Sequence, residues 1–132
     1  MSESQFQALS DAVQERNVRK VKKFLKQGIS VLSPAGTFSL FHVAAQMGDE
    51  ELIRAMSASA SGASGADVNT PTKDGATPVF IAVLEGHVDV INALYALGAD
   101  VNTPDKNGCT PVYVAAHKGY VDAINALCAL GA

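Results

Sequence analysis

With 132 residues, 48% of them apolar, the chain can bury roughly two thirds of its unfolded surface as one compact domain. Its formal net charge of −3 at pH 7 is too mild to indicate a nucleic-acid or membrane partner for the chain as a whole. No apolar run approaches the ~20 residues of a transmembrane helix, residues 1–5 do not open a signal peptide, and two cysteines without metal-ligand spacing favour a reducing compartment.

Residues 1–26 predict two short helices and carry most of the positive charge. Their apolar residues recur at helical spacing and are expected to face the interior: Phe6, Leu9, Ala12 and Val13, then Val18, Val21, Phe24 and Leu25. Six bases and three acids give this segment about +3, whereas four bases and ten acids give the rest about −6. We expect the bases from Arg16 to Lys26 to occupy several sides of the second helix, which favours a solvated cap face over an acidic partner or a membrane surface. Residues 34–36, Pro-Ala-Gly, mark a turn.

Residues 36–73 predict a second helix pair that contains an insertion. The distance from Gly48 to Gly65 is longer, by five residues, than the distance between the equivalent glycines of the following segment, Gly86 and Gly98. The five extra residues must fall within residues 57–64, which contain only Ser, Ala and Gly. We expect an extended helix end that passes into a loop at Gly62.

The last two segments repeat one pattern at a constant spacing. The landmarks return in phase: Gly75 as Gly108, Thr77-Pro78 as Thr110-Pro111, Ala82 as Ala115, Gly86 as Gly119, Leu94 as Leu127, and Gly98-Ala99 as Gly131-Ala132. Agreement at this many positions indicates supersecondary units that stack in an array. The segment Ala12–Val18 fits the same pattern as Ala82–Val88. The sequence therefore predicts four units, over about residues 1–35, 36–73, 74–106 and 107–132.

The repeated landmarks also predict where helices begin and end. Thr77 and Thr110 are expected to cap the first helix of their units, with a proline in the first turn. Gly86 is expected to end the first helix in a left-handed conformation. The second helix of the third unit then buries one side: Val88, Val90, Ile91, Leu94 and Leu97.

The sequence motif Gly-x-Thr-Pro-x-x-x-Ala, followed by Gly-Ala-Asp-Val-Asn, resembles the ankyrin repeat. The ankyrin unit of about 33 residues matches the spacing of these landmarks. The resemblance covers most of the chain and implies a mainly α ankyrin-repeat solenoid of stacked β-turn and helix-loop-helix units. Phe80 and Tyr113 depart from the family's usual histidine, which only His42 keeps. We expect His42 to hydrogen-bond within its own unit, and His87 to tie one loop to its neighbour.

The resemblance also implies a function, that of a scaffold whose concave surface binds a protein or peptide without catalysis, cofactor or metal. In the family, the turn tips and the exposed end of each first helix face the partner. Carried onto this chain, the protein-binding positions are Phe38, Gln46 and Met47 in the second unit, Lys73, Asp74, Ala76, Leu84 and Glu85 in the third, and Lys106, Asn107, Cys109, His117 and Lys118 in the fourth. Phe38, Met47 and Leu84 are expected to form an apolar strip flanked by charge.

No catalytic or metal-binding motif competes with this interpretation. The three histidines fall in separate units without paired carboxylates, and no phosphate loop, nucleophile elbow or H-E-x-x-H motif occurs. By the family's geometry Cys109 lies at a turn tip and Cys128 packs in the last helix, so no disulfide is expected.

Alternatives concern the larger context of the chain. The last helix carries one charge, Asp122, among Val121, Ile124, Leu127, Cys128 and Leu130, so an array that continues beyond Ala132 is expected. The repeats would then position the rest of a larger enzyme or channel. A second alternative is a bacterial effector that engages host proteins. The expected location is the cytoplasm or nucleus, or the host cytosol for a secreted effector.

Overall fold

The computed structural model describes residues 3–33, 38–57 and 68–132. The described residues contain eight α-helices that follow one another as four pairs: α1 Glu3–Gln14 and α2 Val18–Lys26, α3 Leu40–Met47 and α4 Glu50–Ser57, α5 Pro78–Glu85 and α6 Val88–Ala96, α7 Pro111–Lys118 and α8 Val121–Ala129. The turn expected at residues 34–36 and the helix end and loop expected at residues 58–64 lie outside the described residues.

The eight helices form two rows. In the first-helix row, α1, α3, α5 and α7 pack against one another in chain order, and in the second-helix row α2, α4, α6 and α8 do the same. The two helices of each pair also pack together. The prediction of a mainly α solenoid, in which each helix pair leans on its neighbours, is therefore confirmed.

One continuous core runs between the two rows. In the first pair, Phe6, Leu9, Ala12, Val13, Val21 and Leu25 are buried, and Val18 and Phe24 are half-buried. In the third pair, Val90, Ile91 and Leu94 are fully buried, with Val88 and Leu97 half-buried. The buried sides predicted from helical spacing are thus confirmed in both pairs.

The first helices of the third and fourth units begin with a side-chain cap. The Thr77 hydroxyl accepts a hydrogen bond from the Phe80 N–H at 3.2 Å, and the Thr110 hydroxyl accepts one from the Tyr113 N–H at 3.3 Å. A proline follows each threonine in the first turn, where its missing N–H costs nothing. The predicted caps are confirmed, and the most strongly repeated residues are the ones that start these helices.

A left-handed residue ends each first helix. Gly48, Gly86 and Gly119 have φ of 72°, 73° and 73°, but the equivalent residue of the first unit is Arg16, with φ of 58°. A side chain in this conformation costs roughly 1–2 kcal/mol. The Arg16 guanidinium donates to the Asp49 carboxylate at 2.9 Å and to the Met47 carbonyl at 3.1 Å, so this left-handed residue is bonded to the second pair.

The side chain of Ala82 is fully buried, so a larger side chain at this position tests how closely the two helices of a pair approach. We expect Ala82→Leu to overpack this contact and to lower the free energy of unfolding by about 1–3 kcal/mol in chemical denaturation. Ala116 is exposed on α7, so Ala116→Leu is expected to change stability by less than about 0.5 kcal/mol. Equal losses in the two variants would contradict close packing at Ala82.

Candidate functional site

The last turns of α3, α5 and α7 present equivalent pairs of residues on the first-helix row. These pairs are Gln46 and Met47, Leu84 and Glu85, and His117 and Lys118. Because the three helices pack in order, the pairs are neighbours. Met47 and Leu84 are half-buried and the other four are exposed. The structure therefore brings together six of the residues predicted to bind a partner.

A row of apolar residues lies one helical turn before these pairs. Val43, Ile81 and Val114 are half-buried and pack against the core. Residues three and four positions apart share one side of a helix, so each of the three adjoins the pair that follows it. The binding positions predicted from the sequence do not include this row, although its residues lie three and four positions before the predicted pairs. We call these nine residues the first-helix face.

The turn tips of the third and fourth units are built in the same way. The Thr72 hydroxyl accepts hydrogen bonds from the N–H groups of Asp74 and Ala76, both at 3.3 Å. At the equivalent position of the next tip, the Asp105 carboxylate accepts from the N–H groups of Asn107 and Cys109 at 2.9 and 3.0 Å. A side-chain oxygen thus closes each turn, and the two tips have equivalent conformations.

The two tips also stack on each other. The Lys106 N–H donates to the Asp74 carbonyl at 3.0 Å, and the Lys106 ammonium donates to the Asp74 carboxylate at 2.9 Å. Gly75 permits this approach, since a Cβ there would lie only 2.7 Å from the backbone nitrogen of Lys106. The hydrogen bond and charge of Lys106 lower the pKa of Asp74 and, reciprocally, the pKa of Lys106 is raised. Because both side chains are exposed, solvent screens the pair and it stabilises the fold little.

The remaining predicted residues occupy less uniform positions. Lys73 is exposed at the third tip, whereas the Ala76 side chain is in the interior, only 9% exposed. Phe38 is half-buried and packs edge-on against Phe6, with ring centroids 5.7 Å apart. Phe38 precedes α3 and Met47 ends it, so the whole length of this eight-residue helix, about 12 Å at 1.5 Å per residue, lies between them. Phe38 therefore contributes to packing on the first pair, and Val43 supplies the apolar contact beside Met47.

The residue after each left-handed position touches the preceding unit. Asp49 forms an ion pair with Arg16, the imidazole of His87 covers Gly48, and the ring of Tyr120 covers Gly86. His87 Nε2 also lies 3.3 Å from the Gln46 carbonyl oxygen, so the predicted tie between neighbouring loops is confirmed. The residue that follows the left-handed position therefore links neighbouring units through an ion pair, an imidazole ring or a phenol ring.

Comparison with known families agrees with this architecture. A family model described as ankyrin repeats, in three copies, matches residues 9–105 and, in a second overlapping match, residues 41–132. The chain belongs to the ankyrin-repeat family. The resemblance stated from the sequence and the ankyrin-repeat solenoid fold are thereby confirmed. No individual curated protein matches the chain. Ankyrin repeats generally act as protein-protein interaction modules.

The ankyrin histidine position differs in each unit. His42 Nδ1 accepts a hydrogen bond from the Ser39 N–H at 3.1 Å, and Nε2 donates to the Ala76 carbonyl at 3.0 Å. The predicted bond within the unit is confirmed, and a second bond reaches the next ankyrin turn. Phe80 is buried at the equivalent position, whereas Tyr113 is 59% exposed and stacks on His117 with centroids 6.4 Å apart.

The prediction that Cys128 packs in the last ankyrin helix is wrong, because its side chain is exposed. It occupies the position of Tyr95 in the preceding unit, which is also exposed, on a side of the helix turned away from the core. Cys109 is half-buried at its turn tip, and both thiols are free.

Two further findings concern sites and membranes. Within residues 3–33, 38–57 and 68–132, no three His, Cys, Asp or Glu side chains lie where they could hold a metal ion together. In the same part of the chain, no helix combines the length and apolar character needed to cross a lipid bilayer.

The contact between His87 and Gly48 can be tested with a matched pair of glycines. Gly48 and Gly119 have the same left-handed φ, but a Cβ on Gly48 would lie 2.7 Å from the His87 ring, whereas Gly119 faces open space. Alanine at either site is expected to cost about 1–2 kcal/mol of backbone strain. Gly48→Ala should cost about 0.5–1.5 kcal/mol more, because the half-buried His87 ring must move off the Gln46 carbonyl. Thermal or urea unfolding measures both. In the His87→Ala background, Gly48→Ala should cost no more stability than Gly119→Ala costs in the wild-type chain. Equal losses of stability in the two single glycine variants would exclude the contact between His87 and Gly48.

Burial lowers the pKa of His42 below its ordinary value of 6.5, because the charged form would lose hydration. The unfolded chain therefore takes up this proton at a higher pH than the folded chain. The stability contributed by neutral His42 is complete above about pH 6.5 and is lost as the pH falls through the lowered folded-state pKa. His42→Phe, which copies position 80, should flatten the pH dependence of urea unfolding between about pH 7 and 5. Parallel curves for wild type and variant would contradict this assignment.

Proposed function

We propose that this ankyrin-repeat protein binds a segment of another protein across the first-helix face, the side that is concave in the family. The observation that carries the proposal is the alignment of equivalent residues from α3, α5 and α7 on one exposed surface. Val43, Ile81 and Val114 give it an apolar centre, and charged residues border them. Such a centre with a polar rim is the usual anatomy of a protein-binding patch.

The dimensions of this face suit a peptide or loop. Neighbouring helices pack about 8–10 Å apart, so three first helices span roughly 20 Å. An extended chain rises about 3.3 Å per residue, and about six residues would cross the face. Leu84 lies on the middle helix and is half-buried, the kind of central position where binding energy concentrates.

The charges on the face favour a partner of mixed charge. Glu85 on α5 and Lys118 on α7 occupy equivalent positions on neighbouring helices and are both exposed. Asp74 and Lys106 compensate each other at the turn tips. We infer a partner segment with apolar residues at its centre, a base near Glu85 and an acid near Lys118.

The mechanism is preorganisation. The turn tips are closed by Thr72 and Asp105, and the units are joined by contacts such as the one between His87 and Gly48. A surface held in this way exists before the partner arrives, so binding orders few protein groups and its entropic cost is reduced.

The proposal includes no catalytic step, in keeping with ankyrin repeats being typically non-catalytic. Ser39 and His42 are in contact, with the serine hydroxyl 3.4 Å from Nδ1, but Ser39 is fully buried. The other ring nitrogen is already bonded to the Ala76 carbonyl. This pair caps α3 and offers a substrate no access.

The experiment is a pull-down with the purified protein, identification of captured proteins by mass spectrometry, and calorimetric titration of the partner found. Leu84→Arg is expected to weaken binding by at least about tenfold, because a central apolar contact is replaced by a desolvated charge. Met47→Arg should act in the same direction. Asn92→Arg, exposed on α6 in the other row, is the matched control and should leave affinity unchanged. Retention of full affinity by both Leu84→Arg and Met47→Arg, with unfolding midpoints like wild type, would exclude this face.

A further inference from the structure

Four bases of α2 form a stripe along one side of the helix. Arg19, Lys22, Lys23 and Lys26 are spaced i, i+3, i+4 and i+7, which places them on one face, and all four are exposed. Together with Gln27 they line an open groove of about 510 Å³. The expectation that the bases occupy several sides of this helix is therefore wrong for these four.

The stripe has no internal charge compensation. The ion pairs of the described residues engage Arg16, Lys20, Arg54 and Lys106, and none engages a base of the stripe. Lys20 lies off the stripe and pairs with Glu15 at 3.7 Å. Four uncompensated positive charges within three helical turns are therefore available to a ligand.

Helix stability accounts for only part of this arrangement, because Lys23 and Lys26 lie in the last turn, where the helix dipole favours bases, but Arg19 and Lys22 do not. The first turns of the other second helices carry acids, which the positive end of the helix dipole favours: Glu50 and Glu51 on α4, Asp89 on α6 and Asp122 on α8. Helix α2 has no acid in its first turn and has Arg19 and Lys20 there instead. Like charges three and four residues apart also repel. A solvated cap face needs only polarity, and mixed charges would supply it without these costs.

The position of the stripe in the repeat indicates the shape of its ligand. In the third unit, Asp89, Asn92, Ala93, Ala96 and Leu97 line the groove where α6 meets α4. The equivalent residues of the first unit are Arg19, Lys22, Lys23, Lys26 and Gln27, which line the groove on α2. The stripe is therefore the surface on which the second-helix row seats a neighbouring helix, and a helix fits it.

We propose that the stripe binds an acidic helical segment of a partner protein, with Glu or Asp at i, i+3, i+4 and i+7, seated as α4 is seated on α6. An extended polyanion is disfavoured, because residues 27–132 carry ten acids against four bases and would repel a membrane surface or a duplex. A short helix meets only the stripe, about 10 Å long at 1.5 Å per residue. Because the site lies on the second-helix row, it is separate from the first-helix face, and the array can join two proteins.

The test uses a fluorescein-labelled, alanine-based helical peptide with glutamates at i, i+3, i+4 and i+7, titrated with the full chain and followed by fluorescence anisotropy. A second peptide of the same composition spreads its glutamates around the helix. Lys22→Glu/Lys23→Glu is expected to weaken binding of the first peptide by at least about tenfold. Asn125→Glu/Ala129→Glu, at two exposed positions of α8 outside both proposed sites, makes the net charge more negative without touching the stripe and should leave binding within about twofold.

We expect the peptide with glutamates at i, i+3, i+4 and i+7, the striped peptide, to bind more tightly than the second peptide and to lose affinity as salt is added. We expect Lys22→Glu/Lys23→Glu to lose affinity for it while its circular dichroism spectrum and its unfolding stay as in wild type. Lys22→Gln/Lys23→Gln, which adds no charge, repeats the test should the glutamate variant unfold. Equal affinity for the two peptides, or equal loss in the two double variants, would overturn the proposal. If the chain binds phosphatidylserine vesicles or an oligonucleotide more strongly than the striped peptide, the proposal of an acidic helical partner is wrong, and the stripe binds an anionic membrane or a nucleic acid instead. None of these outcomes depends on the first-helix face, so the two proposals fail independently.

Discussion

Each helix pair of this protein buries its apolar side only against the pairs beside it, and every other feature depends on that constraint. An eight- or nine-residue helix is too short to be stable alone in water. Packed in two rows, such helices share a continuous core in which Leu9, Phe41, Ile91 and Leu127 are fully buried. Contacts are therefore repeated from unit to unit, and a repeated contact needs a repeated sequence.

The link between units keeps its position while its chemistry changes. An ion pair joins Asp49 to Arg16, an imidazole covers Gly48, and a phenol ring covers Gly86. What the fold requires there is a side chain that reaches back over a left-handed residue, and three kinds of side chain satisfy it. Arg16 takes this left-handed conformation as a non-glycine residue, and its guanidinium makes two bonds to the next pair.

A two-row array exposes two surfaces of different character. The first-helix row presents apolar residues with charges around them, and its turn tips are held by side-chain oxygens and by the stacking of Lys106 on Asp74. The second-helix row presents acids in most of its first turns but uncompensated bases on α2. Since helices of the two rows are rigidly packed together, ligands on the two surfaces would be held at a fixed separation, which suits a scaffold.

The sequence alone determined the family, the helix starts at Thr77 and Thr110, and the buried side of each well-patterned helix. These features are local, because a cap, a left-handed glycine and an apolar periodicity act within one turn or one helix. Only the tertiary structure decided the exposure of residues that these local patterns do not fix. Ala76 is interior, and His42 of the neighbouring unit bonds its carbonyl. Cys128 is exposed, like the equivalent Tyr95, on a side of α8 turned away from the core, and the role of Val43 depends on α5 lying alongside. Exposure is set by what lies across from a residue, and that neighbour is more than thirty positions away in the chain.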